Sequence, residues 1–135
     1  MKYILVTILL LACVASGAEV NPKFLKVLNQ VEASGKSGVI IGDSGKSRGP
    51  FQIHKSYWQD AVSFDKTIGG KYEDCSNLKY SQKIVGAYLN RYCSNAVSYN
   101  DYEAMARCHN SGPNWKNKTA KTDAYWQKVK KELTR

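Results

Sequence analysis

The sequence predicts an α+β fold, mostly helical, with one small β-hairpin. Three observations carry this. Apolar residues recur at helical spacing in five separate segments. A glycine-rich run, "GDSGKSRGPFQI" from Gly42 to Ile53, interrupts the helical pattern between two strand-like stretches. Cap and breaker residues stand at the segment ends.

The chain opens with "MKYILVTILLLACVASGAEV". Lys2 precedes an apolar run from Ile4 to Ala15, broken only by Thr7. Ser16 and Ala18 fill the small-residue positions before a cut after Ala18. Residues 1–18 read as a secretory signal peptide and residues 19–135 as one domain of ordinary size. A cut after Gly17 fits nearly as well. "LLAC" at Leu10–Cys13 also resembles a lipoprotein box that would lipidate Cys13. Either reading puts the domain outside the cytoplasm, and no later run is apolar enough to cross a membrane.

"NPKFLKVLNQVEASG" is the first helix. Asn21 caps it and Pro22 takes its first position. Phe24, Leu25, Leu28 and Val31 form the apolar face, and Ser34-Gly35 ends the helix just after Glu32. Val39–Ile41 and Arg48–Ile53 are the strands of an expected hairpin, or of an irregular β-region, with Asp43 at or near its tip. A helix starts at "HKSYWQDAV", and "DKTIGGKYEDCSN" is a loop. "LKYSQKIVGAYLNRYC" is a helix in which Gly86 suggests a close helix crossing. "NDYEAMARCH" is a further helix, capped by Asn100 or Asp101. "NSGPNWKN" is a loop carrying the glycosylation sequon Asn117-Lys118-Thr119. The last helix, "KTDAYWQKVKKEL", turns Tyr125, Trp126, Val129 and Leu133 inward.

The net charge is +9, and about +8 once Lys2 leaves with the signal. A basic extracellular domain is attracted to polyanions such as a bacterial wall. The lysines are scattered and lack interleaved aromatics, so no nucleic acid is expected as partner. Beyond the leader the cysteines are Cys75, Cys93 and Cys108, which allow one disulfide and leave one thiol over. Their spacing fits no zinc motif, and with only His54 and His109 as histidines, no metal or other cofactor is expected.

Two acids stand in contrasting settings. Glu32 ends a helix, where the dipole disfavours a carboxylate, and apolar Val31 and Ala33 flank it. Asp43 sits in a turn rich in backbone N–H groups, near Lys46 and Arg48, which favours the ionised form. A protonated acid paired with an ionised carboxylate is what glycosidic cleavage requires.

"VEASG", "GDSGKSRGPFQIHKSYWQDA", "YLNRYC", "ARCHNSGPN" and "AYW", in that order, resemble the invertebrate-type lysozymes, which include the destabilases. The resemblance implies a lysozyme-like fold and a retaining enzyme acting on the β-1,4 bond between N-acetylmuramic acid and N-acetylglucosamine. It implies Glu32 as general acid and Asp43 as nucleophile or stabiliser. It places the stretch His54–Asp60 and the "HNSG" loop along the sugar cleft. The expected substrate-binding residues are Gln52, His54, Lys55, Tyr57, Trp58, Asp60, Tyr92, His109, Asn110 and Ser111. Tyr57 and Trp58 offer flat faces to sugar rings, His109 and Asn110 offer hydrogen bonds, and Gln52 points into the cleft. The expected partners are bacterial peptidoglycan and chitooligosaccharides, with no stable membrane insertion and a monomeric, secreted chain.

The sequence also departs from the family. Arg48 and Ala61 stand where members commonly carry cysteine, and "HNSGPNW" replaces the more usual "HNGGP" followed by Gly-Cys. Other readings share part of the pattern. A lytic transglycosylase needs only Glu32. A basic wall-binding antimicrobial protein needs neither acid. The isopeptidase activity of destabilases calls for a Ser/Lys pair such as Ser44 or Ser47 with Lys46.

Overall fold

The computed structural model describes residues 17–135. Apart from Gly17 and Ala18, the expected signal peptide lies outside the described residues, as does Cys13. Helix α1 spans Pro22–Ala33. The Asn21 side chain accepts the Lys23 N–H at 2.9 Å, and Ser34, with φ 53°, ends the helix. The buried stripe is Phe24, Val27 and Leu28, with Val31 one turn on. Leu25 sits at the edge of that stripe rather than in it.

The β-region departs from the expected single hairpin. Three two-residue strands, β1 Ile41–Gly42, β2 Ser47–Arg48 and β3 Ile53–His54, form an antiparallel sheet in that order. Ile41 pairs with Arg48, and Ser47 with His54. The stretch expected as one strand from Arg48 to Ile53 is split because the chain turns back between Gly49 (φ 79°) and Gln52 (φ 50°). Pro50 has no N–H to offer a ladder there. The Gln52 side chain braces the turn, accepting from Ser47 Oγ at 2.6 Å and donating to the carbonyls of Gly49 and Ile40.

Helix α2, Lys55–Phe64, buries Tyr57 and Ala61. The following loop contains a short 3-10 turn, Tyr72–Ser76, that carries Cys75 into the core. Helix α3 runs over Leu78–Tyr99, past the expected end at Cys93, where its backbone breaks (φ −149°, ψ 48°) and then resumes. Gly86 marks no close crossing: a Cβ built there meets open space. Asn100 (φ 52°) closes α3, and Asp101 opens α4, Tyr102–Ser111, by accepting from Ala104 N–H. These two residues are the whole connection, so α3 and α4 pack as a helical hairpin. A second 3-10 turn, Trp115–Lys118, leads into α5, Thr119–Leu133.

Helix α5 packs on both α4 and α1. Buried Arg107 on α4 ties the two C-terminal helices together. It donates to Glu103 Oε1, Asp123 Oδ1, Thr122 Oγ1 and the Thr119 carbonyl. Packing α5 on α1 carries Tyr125 to the C-terminal end of α1, where Glu32 lies. Among the described residues, no helix is long and apolar enough to cross a membrane.

Candidate active site

A cleft of about 620 Å³ is lined by the end of α1, the sheet, α2, the end of α4 with the loop after it, and the start of α5. Glu32 and Asp43 both line it. So do Gln52, His54, Tyr57, Asp60, His109, Asn110 and Ser111 from the expected set. Lys55, Trp58 and Tyr92 do not line it. Trp58 is half-buried against the core, tilted against Tyr72, with its indole N–H donated to Tyr80 Oη at 2.9 Å. Tyr92 packs edge-on against Tyr88 under the Arg91 guanidinium. Lys55 is exposed at the start of α2.

Glu32 is held from two sides. Tyr125 Oη donates to Oε1 at 2.7 Å, and His109 Nε2 lies 3.4 Å from the same oxygen. His109 Nδ1 in turn meets Tyr57 Oη at 2.9 Å. Tyr57 is buried against Tyr88, their rings stacked with centroids 3.5 Å apart. Burial pushes the Tyr57 phenol well above its ordinary range, with the Tyr88 ring next in effect, so it stays an O–H donor. Burial acts likewise on Tyr125, reinforced by the Glu32 charge. With Tyr57 donating to Nδ1, we assign the His109 proton to Nε2, which faces Glu32. The chain Tyr57–His109–Glu32–Tyr125 thus spends Oε1. No described hydrogen bond uses Oε2.

These contacts change the expected parts of two residues. Tyr57 was expected to show a flat face to sugar, but it is 8% exposed and stacked on Tyr88, so it serves as a support. His109 was expected to bond sugar groups. It is 8% exposed, and its two nitrogens already face Tyr57 and Glu32. Gln52 does line the cleft, yet its amide is used within the sheet turn.

Asp43 is more open. It begins a 3-10 turn, Asp43–Gly45, and both Asp43 (φ 49°) and Ser44 (φ 54°) are left-handed. Such conformations cost about 1–3 kcal/mol each in non-glycine residues and gather at functional sites. His54 Nε2 lies 3.1 Å from Asp43 Oδ2, with both side chains about half exposed. The β2–β3 pairing sets this contact, because it puts His54 beside Ser47 at the base of the turn. At the far side, Asp60 is held by Arg91 through its backbone carbonyl at 2.7 Å. Among the described residues, no group of three or more histidines, cysteines or acids could hold a metal ion.

Sequence reasoning missed Tyr125 as a partner of Glu32, and Lys118 and Lys121 as cleft residues. Tyr125 was read only as an inward-facing helix residue. No local pattern could couple it to an acid 93 positions away.

Residues 23–132 match the Destabilase family model. The chain belongs to the destabilase family. Relatives named for their activity are similar to it in sequence. It is 31% identical over 115 residues to the invertebrate-type lysozyme of Ruditapes philippinarum, covering 83% of this chain and 81% of that one. It is 38% identical over 84 residues to Lysozyme 1 of Crassostrea virginica, covering 62% of this chain. That match spans only 43% of the oyster protein's length. The fold matches the crystal structure of Tapes japonica lysozyme with a TM-score of 0.65 at 30% identity, over 84% of this chain and 91% of that one. It also matches inhibitor-bound Meretrix lusoria lysozyme, with a TM-score of 0.66 at 26% identity, over 85% and 92% of the two chains.

Proposed function

We propose that this destabilase-family chain is a secreted lysozyme hydrolysing the β-1,4 bond between N-acetylmuramic acid and N-acetylglucosamine in peptidoglycan. The observation that carries the reading is the pair Glu32 and Asp43 on one cleft, each with its own positioning partner. The lysozyme names and folds of the relatives support the substrate class.

Glu32 Oε2 delivers the proton to the glycosidic oxygen, while Tyr125 and His109 hold Oε1 and so fix the direction of transfer. Asp43 attacks or stabilises the anomeric carbon as the bond breaks, with His54 occupying Oδ2 and leaving Oδ1 for the sugar. Water then completes hydrolysis, and Glu32, now a carboxylate, takes up its proton. Asn110 and Ser111 at the cleft edge offer hydrogen bonds to acetamido and hydroxyl groups. Lys118 and Lys121, also on the cleft, suit the carboxylates of the wall polymer. The domain's charge of about +8, the chain's +9 less Lys2 of the leader, draws it to that polyanion.

Mass spectrometry of digested peptidoglycan tests the reading. Muropeptides ending in a reducing N-acetylmuramic acid, carrying oxygen-18 when cleavage is run in labelled water, are expected. Anhydro-sugar ends would assign a lytic transglycosylase instead. No new ends, with wall binding retained, would leave a non-catalytic wall-binding protein.

A further inference from the structure

Cys93 and Cys108 lie behind the cleft, and the reaction proposed above uses neither. Each is seven residues from the two-residue connection Asn100–Asp101, on α3 and α4 respectively. At about 1.5 Å of rise per residue, equal offsets from a tight helical hairpin bring two side chains to the same level. The two thiols act on each other electrostatically and share Tyr57 and Tyr88 as neighbours. Helix α3 breaks its regular backbone at Cys93 itself (φ −149°, ψ 48°), and this occurs at no other residue of α3. Cys108 is fully buried, whereas Cys93 is only partly buried and so the more accessible of the two. Cys75 is buried on the 3-10 turn Tyr72–Ser76, against Arg48. The residue after Cys108 is His109, which faces Glu32.

We propose that Cys93 and Cys108 are a disulfide-forming pair that closes α3 onto α4 and fixes the seat of His109, while Cys75 is the thiol left over. The oxidant is a low-molecular-weight disulfide such as oxidised glutathione. Cys93 attacks one glutathione sulfur, releasing the first reduced glutathione and leaving a mixed disulfide on Cys93. Cys108 then attacks Cys93 Sγ and expels the second glutathione, whose sulfur takes up the Cys108 proton. Two protein thiols are oxidised, and one glutathione disulfide is reduced to two thiols. The interaction with Cys93, followed by burial, pushes the Cys108 thiol far up. Cys108 therefore makes a poor first nucleophile, and Cys93 leads.

The test equilibrates the chain without its leader, residues 19–135, which holds three cysteines, with oxidised glutathione, then counts thiols under denaturing conditions and maps linked peptides. Loss of two of three thiols, a mass lower by two hydrogens and a Cys93–Cys108 crosslinked peptide are expected. C75S should still lose two thiols, and C93S should form no internal crosslink. The oxidised wild type should melt about 10 °C above the dithiothreitol-reduced protein, as a bridge closing a loop of this size implies. Three titratable thiols after equilibration would overturn the proposal. So would a persistent glutathione adduct, a crosslink through Cys75, or equal melting of the two forms. None of these readouts depends on hydrolysis, so they stand or fall apart from the lysozyme reading.

Discussion

Glu32 is 18% exposed at its side chain, and its Oε1 accepts a phenolic proton from Tyr125. A hydrogen bond to a charged group contributes about 1.5–3 kcal/mol. If that bond sets the direction of proton delivery, Tyr125→Phe lowers kcat/KM by about 10- to 100-fold. The fold should survive, because the ring stays in place. Steady-state lysis of a wall suspension, with circular dichroism as the control, checks this. Unchanged kcat/KM would mean that Tyr125 is only packing. At this scale the sequence was half legible. Glu32 and Asp43 stand out by their settings, an acid at a helix end and an acid in a glycine turn. Their partners do not. Tyr125 is one inward aromatic among several on α5, and the burial of Tyr57 depends on a stack with Tyr88 from another helix. Aromatic residue types suit a sugar platform and a core equally well, and only packing separates them.

At the scale of elements, helices were the readable part, because apolar spacing and caps are local signals. Asn21, Pro22 and Ser34 bound α1 as expected. The sheet was harder. Six paired residues in three strands carry almost no periodicity, and the turn at Gly49–Gln52 looks like continued strand. What holds that turn is a close approach: a Cβ at Gly49 would fall 1.9 Å from the Cys75 carbonyl oxygen, on a residue already at φ 79°. Gly49→Ala should therefore cost about 3 kcal/mol or more, through strain and displacement of the Tyr72–Ser76 turn. Chemical denaturation measures it, and a change below about 0.5 kcal/mol would show that the sheet is not anchored there. Gly86→Ala is the internal contrast, because a Cβ there meets open space on a helix, where alanine is favoured.

At the scale of the whole molecule, stability should fall on the alkaline side. Burial pushes the Cys75 thiol up to about 12 and raises the Tyr57, Tyr88 and Tyr125 phenols. A group whose folded pKa is raised contributes stability that is complete below its unfolded pKa. That stability is lost as pH climbs toward the folded value. The unfolded values are about 8.5 for a thiol and about 10 for a phenol, so Tm should hold to about pH 8.5 and fall through pH 10–12. A flat Tm to pH 12 would contradict the burial of these groups. The expected staples at positions 48 and 61 are absent, and other contacts act in their place. Arg48 reaches the Tyr72 ring and Ser76, and Ala61 is buried in the core. The Arg107 cluster adds a further tie, between α4 and α5.

The central claim is that a proton from Glu32 cleaves the wall polymer. The measurement that tests it most directly is turbidity loss of a Gram-positive wall suspension with wild type and Glu32→Gln, at matched concentration and confirmed fold. Glutamine keeps the shape and the Tyr125 contact but has no acidic proton. The predicted result is rapid clearing by wild type and a rate lower by about 10²–10⁴ for Glu32→Gln, at unchanged Tm. Retention of a tenth of the wild-type rate by the folded variant would contradict it, since another group would then be the acid.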